Sequence, residues 1–168
     1  MRHGQTESNL RHVVNGRKES KLTMQGKIDA FMAKEKLNVQ FDKVFSSPLE
    51  RARITANIMS GLVIVDENLN ERSYGDFEGY MKKDFNYNGY WNFEKNLADH
   101  NVESICSLMI RVSTFIENLK KKCPNEKILL VTHSGFARAL HYYLVGIPFD
   151  NDLTKLEIPN CCVRMYRI

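Results

Sequence analysis

The chain has 168 residues, 43% of them hydrophobic and 26% charged, with a net charge of +4. That length supports one good core, and no run reaches the roughly 18 apolar residues of a membrane span or forms an apolar signal segment. The expectation is a single domain over residues 1–168, cytoplasmic, with Cys106, Cys123, Cys161 and Cys162 as reduced packing residues because they form neither a CxxC pair nor a metal-like spacing.

Residues 1–53 hold 11 Lys and Arg against 6 Asp and Glu, whereas the remainder holds 13 against 14. A basic first third suits a small anionic ligand. No dense Lys/Arg stripe and no nucleic-acid-binding motif accompanies it, so neither nucleic acid nor a membrane is an expected partner. The opening RHGQTESN places Arg2, His3, Gly4, Thr6 and Asn9 together, with Gly4 read as a point where backbone can approach a ligand. Asp42 to Phe45 reads as a short strand. In SSPLERARITANIM, Ser47 as N-cap, Pro48 at N1 and Glu50 at N3 predict a helix opened by a capping box. Leu62 to Val65 is a second β-branched run.

Eight of the 17 aromatic residues fall between Tyr74 and Phe93. They predict an inserted, partly helical flap at about 74–101, serving either as satellite core or as a substrate wall. Residues 102–122 space Ile105, Leu108, Met109, Val112, Phe115, Ile116 and Leu119 as an amphipathic helix ending near Cys123-Pro124. Lys127 to Thr132 reads as a buried strand, Ser134 to about Val145 as a helix ended by Gly146 and Pro148, and Cys162 to Ile168 as a last strand. His12, His100 and His141 fit no pattern and read as surface or core-edge residues. Alternating strands and helices imply an α/β fold with a mostly parallel sheet covered on both faces and its site at the C-terminal strand ends.

Four segments in order resemble the histidine phosphatase superfamily, of the phosphoglycerate mutase-like branch 1: RHGQT with Asn9, SSPLERARITA with Arg51, NERSYGDFEG with Glu71, and VTHSG with His133. NGRKESKLTMQG resembles that family's second loop. The resemblance runs from Met1 to Gly135 and implies a three-layer fold, with no cofactor and no metal. It implies phosphoryl transfer through a covalent phosphohistidine on His3. Arg2 and Arg51 are implied as the phosphate clamp, since a guanidinium meets phosphate with a bidentate fork. A bound anion would favour the protonated form of His133. Glu71 is implied as general acid and then base, ahead of Glu67 and Glu78. Thr6, Asn9, Asn15, Gly16 and Ser134 are implied as phosphate- or substrate-binding.

The implied function is hydrolysis of a small phosphomonoester, with that ester and phosphate ion as partners. One alternative is phosphoglycerate mutase-type transfer, which must exclude water; the family's mutases are usually longer, and the short chain favours hydrolysis. Another is a non-catalytic phosphoanion-binding relative. Nothing in the flap spells a substrate, and oligomeric state is not legible. The family also places a buried strand before the Arg-His pair. Because the sequence starts at Met1, the expectation is a native product extending about 5–8 residues upstream, a usual strand length, or a truncated sequence whose first strand is missing.

Overall fold

The computed structural model describes residues 1–168. In chain order the elements are α1 (Glu7–Leu10), α2 (Met24–Leu37), β1 (Lys43–Ser46), α3 (Glu50–Met59), β2 (Ile64–Val65), α4 (Ile105–Lys122), β3 (Ile128–Val131) and α5 (Ser134–Val145). The three strands form a parallel sheet of order β2-β1-β3, with Val44 opposite Leu129 and Phe45 opposite Leu130. Successive strand side chains point to opposite faces. Val44, Leu129 and Val131 pack with Ala52, Ala56 and Met59 of α3, while Phe45, Ile128 and Leu130 pack against the larger cluster built by α4 and α5. That gives the expected three layers, and packing on both faces is the reason β3, ILLV, is apolar throughout rather than alternating.

Met1 to His3 lie alongside β3. The Met1 amine donates to the Leu130 carbonyl at 2.7 Å, Thr132 N–H donates to Met1 O at 2.9 Å, and His3 N–H donates to Thr132 O at 2.9 Å, with Arg2 and Thr132 forming a parallel bridge. The Arg-His pair therefore leaves the sheet beside the C-terminal ends of β1 and β3.

α4 matches its periodicity. Ser104 caps it by accepting Ser107 N–H at 3.0 Å, and Ile105, Leu108, Val112, Phe115, Ile116 and Leu119 are buried, with Met109 at the margin. Each such side chain contributes roughly 1.5–3 kcal/mol of transfer free energy before its entropy cost. α5 also matches, ending at Gly146 with φ +95°.

Three expectations are corrected. Ser47 does not cap α3: its N–H is still in sheet register, bonded to Val131 O at 3.1 Å, so the helix begins only at Glu50. The exposed Glu50 N–H is met by the Glu19 carboxylate at 3.0 and 3.2 Å, an anion placed where a helix N-terminus favours one. The tail after Cys162 forms no strand, because Cys161 adopts φ +57° and turns the chain out of extended conformation after two bonds to Arg2. Third, α2 appears where no helix was expected, overlapping the loop-like segment only over residues 24–26. Thr23 caps it, but it buries just Gly26 and Ala30 and leaves Met24, Ile28, Phe31 and Met32 exposed, so no apolar stripe announced it.

The aromatic segment contributes both to the core and to the lining of the cleft, and Tyr74 does both. Tyr74, Tyr90 and Trp91 are buried in the main core, and Phe77 stacks on Phe85 at 4.4 Å between centroids. The guanidinium groups of Arg72 and Arg138 lie 4.6 and 4.5 Å from the Trp91 ring centroid. Trp91 Nε1 donates to the Tyr74 hydroxyl at 2.9 Å, which donates to Tyr87 at 3.1 Å, and Tyr74 and Tyr87 line the site cleft. No helix is long and apolar enough to cross a membrane.

Candidate active site

A cavity of about 50 Å³ opens where the sheet ends, walled by Arg2, His3, Arg51, Glu71 and Ser134. Thr6, Asn9, Asn15 and Gly16 also line it, and the His133 ring lies behind His3 at 5.1 Å between centroids. All ten residues singled out from the sequence are thus in one place.

His3 is buried, with Nδ1 at 2.7 Å from the Gly4 carbonyl oxygen. A carbonyl only accepts, so Nδ1 carries the proton and Nε2 keeps its lone pair. The loop holding this ring is anchored from several sides. Gly4 N–H donates to Thr55 Oγ1 at 3.0 Å, and Asn160 Nδ2 donates to His3 O at 3.0 Å and Gly4 O at 3.2 Å. Gly4 itself serves packing on α2 rather than ligand approach: a Cβ there would fall 2.4 Å from the Gly26 carbonyl oxygen.

The cations flank His3. Arg2 Nη1 donates to Ile158 O at 2.7 Å, leaving its Nε unpaired in a buried setting. Arg51, 2% exposed at the second position of α3, donates to Gly16 O at 2.7 Å and Lys18 O at 2.8 Å, so it shapes the loop that borders the cleft. His133 Nε2 meets the Ser47 hydroxyl at 2.7 Å, while its buried Nδ1 has no partner. To meet an anion there Nδ1 must carry a proton, either in the neutral tautomer whose Nε2 accepts the Ser47 hydroxyl or in the imidazolium, which the negative charge of the anion favours.

Without a ligand both imidazoles are held neutral. Burial, reinforced for His3 by Arg2 and Arg51 and for His133 by Arg51, depresses both well below the usual histidine range. A depressed folded value means the unfolded chain binds protons that the folded one refuses as pH drops below about 6.5, so stability is lost on acidification. Each histidine contributes a slope of about 1.4 kcal/mol per pH unit in that window. The melting temperature of the ligand-free protein is therefore expected to fall between pH 7 and 5, above the range where carboxylates titrate. Added phosphate should raise it through mass action and blunt the fall, because the anion favours the His133 cation. A flat melting temperature over that range would show that water already reaches both rings.

Glu71 is 7% exposed, at the N-terminus of α5. Its Oε1 accepts Arg72 N–H and Gly135 N–H, each at 2.8 Å, and its Oε2 accepts the Ser134 hydroxyl at 3.2 Å. Ser134 thus holds Glu71 while lining the cleft. Gly135 is required by proximity: a Cβ would sit 2.3 Å from Glu71 Oε1.

The remaining residues build the rim. Thr6 and Asn9 form a reciprocal cap on α1, Thr6 N–H to Asn9 Oδ1 at 3.1 Å and Asn9 N–H to Thr6 Oγ1 at 3.3 Å. Asn15 is tied at both ends, accepting from the Ser8 hydroxyl at 3.0 Å and donating to Lys18 O. Gly16 has φ +51°, and a Cβ there would strike the Glu78 carboxylate. Glu78 Oε1 accepts Arg17 N–H at 3.0 Å and Tyr74 N–H at 3.1 Å, which makes it a loop fastener, and neither it nor Glu67 lines the cleft. Sequence reasoning missed Ser47 as the partner of His133, Asn160 as the anchor of the His3 loop, and Lys82 in the wall, whereas Tyr74 and Tyr87 belong to the aromatic segment already offered as a wall. Asn160 follows Pro159 in a segment with no periodicity, so nothing local marked it. His12 and His100 are exposed, and His141 bonds Tyr166 at 3.0 Å, outside the cleft.

The arrangement offers an unprotonated imidazole nitrogen, two guanidinium groups and a chargeable second imidazole around one small cavity, with a carboxyl opposite. A model of the histidine phosphatase superfamily (branch 1) matches residues 1–168. A 2,3-bisphosphoglycerate-dependent phosphoglycerate mutase of Methylobacterium sp. is 32% identical over 185 residues, spanning 99% of this chain and 88% of the relative. The adenosylcobalamin/alpha-ribazole phosphatase of Escherichia coli is 31% identical over 162 residues, spanning 89% of this chain and 79% of the relative. Among solved structures, phosphoserine phosphatase from Entamoeba histolytica in complex with 3-phosphoglyceric acid superposes with a TM-score of 0.80 at 28% identity, covering 95% of this chain and 84% of that one.

Proposed function

The chain belongs to the histidine phosphatase superfamily, branch 1, and from that premise we propose that it hydrolyses a small phosphomonoester through a phosphohistidine formed at Nε2 of His3. The observation that carries the reading is the His3 tautomer: Nδ1 is committed to Gly4 O at 2.7 Å, which leaves Nε2 as the nucleophile in a cleft lined by Arg2 and Arg51. Nε2 attacks phosphorus as the bond to the leaving oxygen breaks, and Glu71 in its acid form gives that oxygen a proton. Water then attacks the phosphohistidine, Glu71 takes the water proton, and the P–N bond breaks to restore His3. Arg2, Arg51 and a protonated His133 stabilise charge on the equatorial oxygens. A cytoplasmic setting is part of the proposal, supported by four free thiols.

The wall beyond the cleft favours one kind of leaving group. A second cavity of about 570 Å³ shares Arg2, Lys82, Tyr87 and Ser134 with the first and adds Lys83 and Arg138 against the single carboxylate of Glu157. Arg138 is 8% exposed and keeps Nη1 unpaired. Burial works to raise the Tyr87 phenol, but Arg138 and Lys82 overcome it and hold it below its ordinary value, a sign of the positive field there. An alcohol bearing a second anionic group fits that field, and the Entamoeba histolytica phosphatase structure is a complex with 3-phosphoglyceric acid, the ester of one such alcohol. Such a wide neighbouring cavity also admits water to the phosphohistidine, which favours hydrolysis over mutase-type transfer.

The test is a panel of phosphomonoesters with carboxylated, phosphorylated, nucleoside and neutral leaving groups, each with and without excess EDTA. Turnover is expected to survive EDTA, since Arg2, Arg51 and His133 supply the positive charge. Lys82→Ala and Lys83→Ala are each expected to raise KM for anionic leaving groups by up to about fivefold, the scale of one exposed ion pair, with little change for neutral ones. No turnover of any ester would end the reading, and equal KM changes for both kinds would remove the anionic preference.

A further inference from the structure

We propose that Arg17 is a positioning residue that sets the general acid Glu71 against the phosphate-binding side of the cleft, with Glu103 and Arg111 as its anchor; the inference rests on the role assigned to Glu71 above. Arg17 reaches across from the cleft-bordering loop. Its Nε donates to the main-chain carbonyl of Glu71 at 3.1 Å and its Nη2 to Glu103 Oε2 at 3.2 Å. Glu103 is held in turn by a two-pronged pair with Arg111, Nε to Oε1 at 3.0 Å and Nη2 to Oε2 at 2.9 Å. Arg111 Nη1 also donates to Asn68 O at 2.6 Å and Asn70 O at 2.8 Å, so it grips the backbone leading into Glu71. On the other side of Glu71, Glu103 accepts Ser73 N–H at 3.2 Å through its side chain, and its own N–H donates to Ser73 O at 3.0 Å.

The loop that supplies Arg17 is the one Arg51 holds through Gly16 O and Lys18 O. One short segment therefore connects the cation expected on the phosphate to the backbone of the residue expected to protonate the leaving oxygen. Coupling of this kind affects rate strongly, because misplacing a reacting group by about 1 Å costs on the order of 100-fold. The two ends are not equally important for folding. Glu103 and Arg111 side chains are 13% and 15% exposed, so removing either leaves a charge stranded in a dry setting, whereas Arg17 is 44% exposed and can be lost without that penalty.

The experiment compares Arg17→Ala, Glu71→Gln and the double variant on an alkyl phosphate and an aryl phosphate, with melting temperatures. Alkyl esters need their leaving oxygen protonated and aryl esters hardly do. Arg17→Ala is expected to lose about 10- to 100-fold in the rate of phosphohistidine formation, read by rapid quench, on the alkyl ester and only a few-fold on the aryl ester, with melting temperature little changed; that step depends on the leaving group, whereas the later hydrolysis is common to both esters. The double variant is expected to be no slower than Glu71→Gln alone, since Arg17 acts through Glu71. Multiplying losses, equal losses on both esters, or no loss would each overturn the assignment. If Arg17→Ala proves unstable, Arg17→Lys keeps the charge without the fork and is expected to show the same leaving-group dependence in weaker form; a uniform loss there overturns it too. A Glu71→Gln enzyme that discriminates between neither ester would instead remove the acid role itself, so the two failures are told apart.

Discussion

His3→Ala leaves no measurable turnover, at least about 10⁴-fold below the unaltered enzyme, and forms no acid-labile phosphoenzyme, if Nε2 of His3 is the nucleophile. The alternative nucleophile is His133, whose ring lies 5.1 Å from His3. Each ring has one engaged nitrogen, Nε2 of His133 with the Ser47 hydroxyl and Nδ1 of His3 with Gly4 O, each at 2.7 Å; they differ in that His3 lines the cleft and His133 lies behind it. Rapid-quench labelling with an aryl phosphate separates them directly. Label retained by His3→Ala and lost in His133→Ala would reverse the assignment. The variant should remain folded, since the loop keeps its bonds from Thr55 and Asn160, and truncating His3 removes one of the two buried imidazoles that oppose folding at low pH.

Glu71→Gln has the second-largest expected effect, about 10² to 10⁴ in kcat on alkyl phosphates, the range for a general acid-base group. Glutamine keeps the size and can still accept Gly135 N–H, now 2.8 Å from Oε1, so the site keeps its shape while losing its proton cycle. The Ser134 hydroxyl can turn to suit either an oxygen or an amide. With aryl phosphates the first step survives and the second slows, because water attacking the phosphohistidine still needs a base. Acid-labile label should therefore appear rapidly and persist in Glu71→Gln, in contrast to His3→Ala. Wild-type rates on both ester classes would remove Glu71 from the mechanism. Glu78 would be a poor replacement, since its Oε1 is spent on Arg17 and Tyr74 amides and it does not line the cleft.

Periodicity revealed the elements whose burial is one-sided or complete. α4 repeats its apolar residues at helical spacing because one stripe meets the core, and β3 is apolar throughout because both its faces are covered. α2 lacked any such signal: it fully buries only Gly26 and Ala30, with Ala33 and Leu37 partly buried against the core, and its close approach to the His3 loop depends on Gly4 and Gly26 having no side chains. Ser47 shows how a correct local motif can be overruled. Its sequence context is that of a helix cap, but the ladder bond to Val131 keeps it in the sheet and frees its hydroxyl for His133.

What the sequence determined by itself was the set of candidates: Arg2, His3, Arg51, Glu71 and His133 were legible because each stands in a short motif that resembles one of the family's and carries a residue type suited to phosphoryl transfer. What only the tertiary structure decided was how those groups are held. The proton on Nδ1 of His3, the three donors on Glu71, the clamp through Arg17 and Glu103, and the basic cavity of Lys82, Lys83 and Arg138 all join segments 30 or more residues apart or depend on which backbone carbonyl lies nearby. Such contacts leave no periodic trace, because a single hydrogen bond constrains one residue where a buried face constrains every third or fourth.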